Sequence, residues 1–328
     1  MVIDEWLIFL KLGVQYVMRI GTNVSHGRQL GNGGKIKPIY TSLKMGEDMT
    51  IKSILALITG EEQDVPTLRQ AVQQAKNFQA QLDILHVKPD SREIMPIIAD
   101  GMSGLAIEQM VTSVLQSADE RAKKAKATAE KIVAENNQQI KVSFQVVQGA
   151  EANVWALAGR FADITIFSRP GSNNASMGNG GIDAILFETG HPSLMVPPVK
   201  AEAKNADMTA NPVIAWNGSV QAVRAVTGAL PFLQKSALVT ILNGTANAEM
   251  GGNRLVKWLS AHKVKTTVKN FDPGSRAIGS ALLEEAGLVG GTMLVMGAYG
   301  HSRLRQFIWG GATREMLQIA SLPILLAH

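Results

Sequence analysis

The chain has 328 residues, 46% of them apolar, 18% charged and 5% aromatic, a balance that excludes wholesale disorder and a length that suits two units, each able to bury a core. The formal charge of +5 is spread without a run of five or more Lys/Arg, which argues against a nucleic-acid partner. There is no cysteine, so disulfides and thiolate metal sites are excluded and a reducing, cytoplasmic setting is expected; the six histidines never fall at H-x3-H spacing, which argues against zinc.

Residues 1–48 differ in character from the rest of the chain. Trp6 to Met18 is apolar but carries Lys11 and Gln15, too short and too interrupted to span a bilayer, and Asp4 and Glu5 stand where a secretory leader would be basic. Gly27 to Pro38 is glycine-rich linker material without the G-x4-G-K-[ST] pattern of a phosphate loop. The expectation is a poorly ordered extension ahead of Met45 or Met49, with an amphipathic helix on a membrane surface as the alternative.

From Ser53 onward, short β-rich runs alternate with helical ones. Ser53 to Thr59 reads as a buried strand. Pro66 to Gln79 is a helix with Leu68, Val72, Ala75 and Phe78 near helical spacing, and Leu82 to Val87 is a second strand. Leu105 to Glu135 is a long helix; Ile140 to Val147 and Asp163 to Phe167 are strands on either side of a helix from Glu151 to Phe161. A helix from Gly181 to Glu188 and the strand Ser193 to Val196 close the unit, and Pro197, Pro198 and a polar stretch come next.

The same order then returns. Val213 to Trp216, Ala237 to Leu242, Val264 to Val268, Met293 to Met296 and Pro323 to Ala327 read as strands. The helices between them are Val220 to Leu233, Arg254 to Ser260, Arg276 to Glu285 and one from Thr313. Alternation of this kind predicts an α/β chain of two tandem, doubly wound parallel-sheet units with five strands each. A register check agrees: Gly171 and Gly181 are separated by nine residues, as are Gly300 and Gly310. The expected division is 1–48 extension, 49–200 first unit, 201–210 linker and 211–328 second unit.

In such sheets ligands collect beyond the carboxyl ends of the strands, where the winding reverses. The stretch MGAYGHSRLRQFIWGGAT, Met296 to Thr313, leaves its sheet at such an end and runs into a helix. Glycines expose their N–H groups, and a helix start adds unpaired N–H groups and the positive end of its dipole. Together these make a cradle for an anion such as phosphate; a glycine-rich turn that only packs tightly is the plain alternative.

M-G-A-Y-G, nine residues, then G-G-A-T resembles the nucleotide loop of the universal stress proteins, G-x2-G-x9-G-[ST]. The closing LPILLAH resembles that family's last strand, and the paired α/β units its tandem members. The resemblance covers about residues 50–328. It implies a stress-response regulator that binds ATP, ADP or AMP, with or without Mg, in its second unit. Met296 and Gly297 would line the base and ribose, Gly300 the ribose and first phosphates, and Leu242 the adenine. Gly310, Gly311 and Ala312 would offer N–H groups to the phosphates, and Thr313 a hydroxyl. Two departures stand out. Asn217 replaces the family's aspartate after the first strand, and Gly311 replaces its [ST].

The first unit departs further, with Phe167-Ser168-Arg169-Pro170-Gly171 in the place of Met296 to Gly300 and Ile182-Asp183 after Gly181, so it is expected to bind no nucleotide. His301 and Ser302 lack a nucleophile elbow, and Arg303 and Arg305 are either phosphate-screening or ordinary surface residues. Asp272 reads as a turn residue before it reads as a magnesium ligand; Trp155 and Trp258 read as packing residues. With no general base beside the loop, no catalytic residue is assigned, and slow ATP hydrolysis is the most that is expected. The rival readings are a nucleotide-free interaction protein working through dimerisation and partner surfaces, and an enzyme of the electron-transfer-flavoprotein or adenylate-forming kind. The apolar final strands would join the two units as an intramolecular pseudo-dimer, or join two chains.

Overall fold

Strand β1 (Ser53–Ile58) has no polar face: Ile54, Ala56 and Ile58 face one hydrophobic cluster while Leu55 and Leu57 face another. A strand buried on both sides belongs inside a sheet covered by helices above and below. The computed structural model, which describes residues 50–90, 104–136, 140–170, 179–198, 207–244, 252–299 and 311–328, has that architecture. From β1 the chain passes through α1 (Asp64–Phe78) to β2 (Gln81–Lys88), then α2 (Gly104–Ala134), β3 (Val142–Gln148), α3 (Glu151–Gly159) and β4 (Ile164–Ser168). A short α4 (Asn179–Asp183) continues as a π-helical turn, Ala184–Glu188, before β5 (Ser193–Val196).

The second half repeats the plan: β6 (Pro212–Trp216), α5 (Val220–Leu233), β7 (Val239–Gly244), α6 (Gly252–Ala261) and β8 (Thr266–Phe271). Helix α7 (Ile278–Leu288), β9 (Met293–Gly297), α8 (Gly311–Ile319) and β10 (Ile324–Ala327) complete it. The ten strands form one sheet, β3-β2-β1-β4-β5-β10-β9-β6-β7-β8. Counted outward from the middle, each half has the same strand order. Every pairing is parallel except the central one, where β5 and β10 run antiparallel with Leu194 opposite Leu325.

Helices α1, α2, α5 and α6 pack over one face, and α3, α4 with its π turn, α7 and α8 over the other. The junction is cemented by side chains as well as by strands. Phe78 of α1 meets Phe232 of α5 edge-on at 5.0 Å, and Gly228 lets α5 lie on the Pro192 ring, where a Cβ would come within 2.9 Å. Aromatic edge contacts of this kind add to plain area burial.

The predicted strands and helices are present with boundaries shifted by a few residues. One element differs in kind: residues 181–188, expected as a plain helix, change hydrogen-bonding pattern at Ala184. The turn seats Ile185 and Leu186 in the core and leaves Phe187 exposed toward the second half. Among the described residues no helix is long and apolar enough to cross a membrane. Residues 1–48, most of the linker, Gly171, Gly300, Gly310 and His301 to Arg305 lie outside the described residues.

Candidate functional site

The winding reverses twice in this sheet. After β1 and β6 the chain turns to one face, into α1 and α5; after β4 and β9 it turns to the other, toward α4 and α8. A crevice therefore opens beyond the tips of β1 and β4, and a second beyond β6 and β9. Pairing register aligns the two: Ile54 lies opposite Ile164 in the first half, and Pro212 opposite Met293 in the second. Thr59-Gly60 and Asn217-Gly218 thus occupy equivalent turns, and both glycines are left-handed, with φ of 86° and 73°.

In the second crevice, Asn217 is exposed and its Oδ1 accepts from the Ser219 N–H at 3.1 Å and the Ser219 hydroxyl at 2.7 Å. The Ser219 hydroxyl in turn accepts from the Ala222 N–H at 3.1 Å and caps α5. An N–H can only donate, so the carboxamide orientation is determined, and Asn217 presents its amide protons rather than its oxygen to a ligand. Gly297 is squeezed against the start of α5; a Cβ there would stand 2.5 Å from the Ala222 nitrogen. Its need for glycine comes from packing at least as much as from ligand access.

Leu242 is fully buried, and Met296 nearly so, in the cluster beneath α7 and α8. Neither side chain presents a free surface to a base; an adenine beside them would meet main-chain edges. The loop amides divide into two groups. Ala298 N–H donates to the Ala327 carbonyl at 2.8 Å, and Tyr299 N–H to the Thr313 hydroxyl at 3.2 Å. Thr313 is buried, so its oxygen acts as an internal acceptor rather than an open phosphate donor. Gly311 is exposed at the start of α8, Ala312 is half-buried, and none of the described residues comes within 4 Å of a Cβ built on Gly311. Among the described residues, the amides at the strand end are engaged, and those at the helix start belong to exposed or half-buried residues.

The first crevice is filled by the chain itself. Asp64 is buried at the head of α1, and its carboxylate accepts from Thr59 N–H at 3.0 Å and Gly60 N–H at 2.6 Å. Burial pushes its pKa up to about 6 against the pull of those hydrogen bonds. Ser168, the counterpart of Gly297, is buried with its hydroxyl 2.8 Å from that of Thr67 and donating to the Gln63 carbonyl at 3.1 Å. The α2 backbone lies over Gly60, where a Cβ would be 2.6 Å from the Arg121 carbonyl oxygen, and the Trp155 ring lies 2.6 Å from the Cβ position of Gly181. Nothing in the sequence pattern marks Asp64, because the carboxylate reaches back over a turn of unrelated composition.

Helix α8 is braced from below. Glu315 accepts from the N–H groups of Gly279 and Ser280 at 2.9 and 3.0 Å and from the Ser280 hydroxyl, filling the N-terminus of α7 with a carboxylate. Glu315→Ala strips the acceptors from two helix-end amides. It is expected to cost about 1–2 kcal/mol in a urea titration, with Glu315→Gln in between.

Asp272, the weaker candidate for a cation ligand, accepts from Gly274 N–H at 2.8 Å in a turn, and among the described residues no three His, Asp or Glu side chains gather around a common point.

No protein-family model matches the sequence, and no curated protein matches it. Solved structures do. A universal stress protein from Archaeoglobus fulgidus superposes over 85% of this chain and 98% of its own, with 14% identity and a TM-score of 0.59. The chain has the universal stress protein fold. A functionally unknown protein from Pseudomonas aeruginosa matches over 84% of this chain and 92% of its own, at 12% identity and a TM-score of 0.52. Within that universal stress protein fold, both halves are covered by a single solved chain, so the match extends across the β5–β10 junction.

Proposed function

We propose that the protein is a tandem universal stress protein, with units at 49–200 and 211–328, that binds an adenine nucleotide in its second half and acts as a stress-response regulator. The observation that carries this reading is the contrast between the crevices. The first is plugged by Asp64, Ser168 and Thr67. In the second, among the described residues, no side chain plugs the turn after β6: Asn217 is exposed there, and Gly311 is exposed at the start of α8. Helix-start N–H groups and a dipole's positive end suit a phosphate. The residues present fit the anionic part of a nucleotide: Gly311 and Ala312 would hold phosphate oxygens through main-chain N–H groups. The Asn217 amide would donate to an acceptor on the nucleoside, and Leu242 and Met296 would form the floor without moving. The role proposed for these groups is to bind and orient the nucleotide.

Two measurements test the reading: mass spectrometry of small molecules released from freshly purified, denatured protein, and titration with labelled ATP and AMP. A purine nucleotide in the first and saturable uptake in the second are expected. Because a side chain at Gly311 meets none of the described residues, Gly311→Ser should fold normally and bind about threefold to tenfold tighter by adding a hydroxyl donor. Absence of uptake by both proteins would overturn the proposal. It would favour a nucleotide-free interaction protein, the reading supported by the Ala298 and Tyr299 amides being already engaged.

A further inference from the structure

Tyr299 combines several unusual features. It is a bulky residue in the left-handed region, with φ of 56°, at the point where the loop leaves β9. That conformation costs free energy for any side chain with a Cβ, and more for a large one, so neighbouring groups must hold it. Its N–H is held by the Thr313 hydroxyl of α8. Its ring is held from the other half of the molecule: Phe187, at the end of the π turn, lies 5.0 Å from it, centroid to centroid. The same Phe187 ring meets His328 edge-on at 4.5 Å. His328 is itself tied into the loop, its Nδ1–H donating to the Ala298 carbonyl at 3.1 Å, while its own carbonyl accepts from Arg224 of α5 at 2.9 Å. Burial, and after it the nearby Asp183 carboxylate, push the Tyr299 phenol above its ordinary pKa and keep it protonated.

One residue of the first half thus touches both walls of the loop exit in the second. A contact in the opposite direction exists as well: Arg169, in the loop after β4, donates to the Gln318 carbonyl in the last turn of α8. The aromatic contact, however, bears on the strained residue, and π turns recur at functional positions because they re-aim a side chain without ending the helix.

We propose that Phe187 is a positioning residue for the second half's anion loop: by clamping Tyr299 and His328 it holds the loop exit in its left-handed course, so that the first half, closed to ligand itself, sets the affinity of the second. The part of this concerning affinity rests on the proposed nucleotide binding; the clamp does not. Two sites linked through one element must influence each other equally, so ligand in the second half should also steady the π turn.

Hydrogen exchange read by mass spectrometry on the whole, ligand-free chain tests the clamp directly. In Phe187→Ala the amides of Ala298 and Tyr299 should exchange about threefold to tenfold faster, the factor an aromatic pair supplies, with β1 and β2 unchanged. Phe187 is 39% exposed, so the variant is expected to fold; Phe187→Leu, which keeps apolar bulk without the ring, gives an intermediate effect. Tyr299→Gly removes the strain that the clamp opposes, and in that background Phe187→Ala should add less, keeping only the part that the His328 contact supplies. In titrations with ATP the Phe187→Ala protein should bind weaker by a similar factor, and ATP should slow exchange across Ala184–Glu188 in the wild type. Unchanged exchange at Ala298 and Tyr299 overturns the clamp whatever the titration gives. Faster exchange in a protein that takes up no ATP upholds the clamp and removes the nucleotide reading instead.

Discussion

Gly297→Ala should be among the most damaging single-methyl additions in this chain, lowering stability by about 2–3 kcal/mol in a urea titration and weakening any ligand uptake with it. The new Cβ would stand 2.5 Å from the Ala222 nitrogen and 2.6 Å from the Gln221 carbonyl carbon. These are main-chain atoms in the first turn of α5, so relief requires moving the helix rather than turning a side chain. The helix is anchored by its Ser219 cap and by Phe232 at its far end, so the strain passes to the tip of β9 and to the loop beyond it. Gly311→Ala is the control: its Cβ meets no atom of the described residues within 4 Å, and a change within about 0.5 kcal/mol is expected. Equal effects from the two substitutions would mean that α5 does not press on the strand end.

The second large effect concerns pH. Burial pushes Glu151, at the head of α3, from the ordinary glutamate range up to about 8, against the attraction of Arg121. The folded chain therefore holds a proton that the unfolded chain has already released. Stability from this source is fully present in acid, below the unfolded pKa, and drains away as pH rises to about 8. The loss is on the order of 5 kcal/mol when complete. Asp64 acts in the same direction but finishes sooner, near its folded value of about 6. Glutamine keeps the shape of Glu151 and cannot ionise. Glu151→Gln should match the wild type at about pH 4 and exceed it increasingly from about pH 5 up to about 8, with its own decline ending where that of Asp64 ends. Parallel stability curves for the two proteins across that range would show that Glu151 is solvated as a charge.

The architecture is legible in the sequence because its signals are local. A run such as Ser53–Ile58 has no polar face, the helices between strands carry their periodicity openly, and the glycine spacing near Gly181 and Gly310 repeats. The joining of β5 to β10 is legible only as one of two options, since an apolar strand does not name its neighbour. The placement of the candidate residues is legible in outline: Asn217 follows the tip of β6, Met296 and Gly297 end β9, and Gly311, Ala312 and Thr313 open α8. What each does there is not. The Asn217 oxygen is consumed two residues along by Ser219, Thr313 turns inward to Tyr299, and Leu242 lies in the core. These outcomes depend on which way a side chain turns once packed, which composition and spacing do not encode. Phe187 and His328 carry no motif at all, because their role arises from a meeting between segments far apart in the chain.

The antiparallel joint at the centre of the sheet has a consequence for assembly. By mating with each other, β5 and β10 spend the two ribbons through which a lone half would recruit a companion. The outermost ribbons left over are β3 and β8, each studded with Ser, Gln, Thr, Lys or Asn and partly wetted along its length. Such borders discourage further strand pairing, and among the described residues the apolar edge strands are paired within the one chain. Severing the linker would release two pieces, each with a bare, oily seam, that should reunite with one another or clump, rather than persist as separate folded halves.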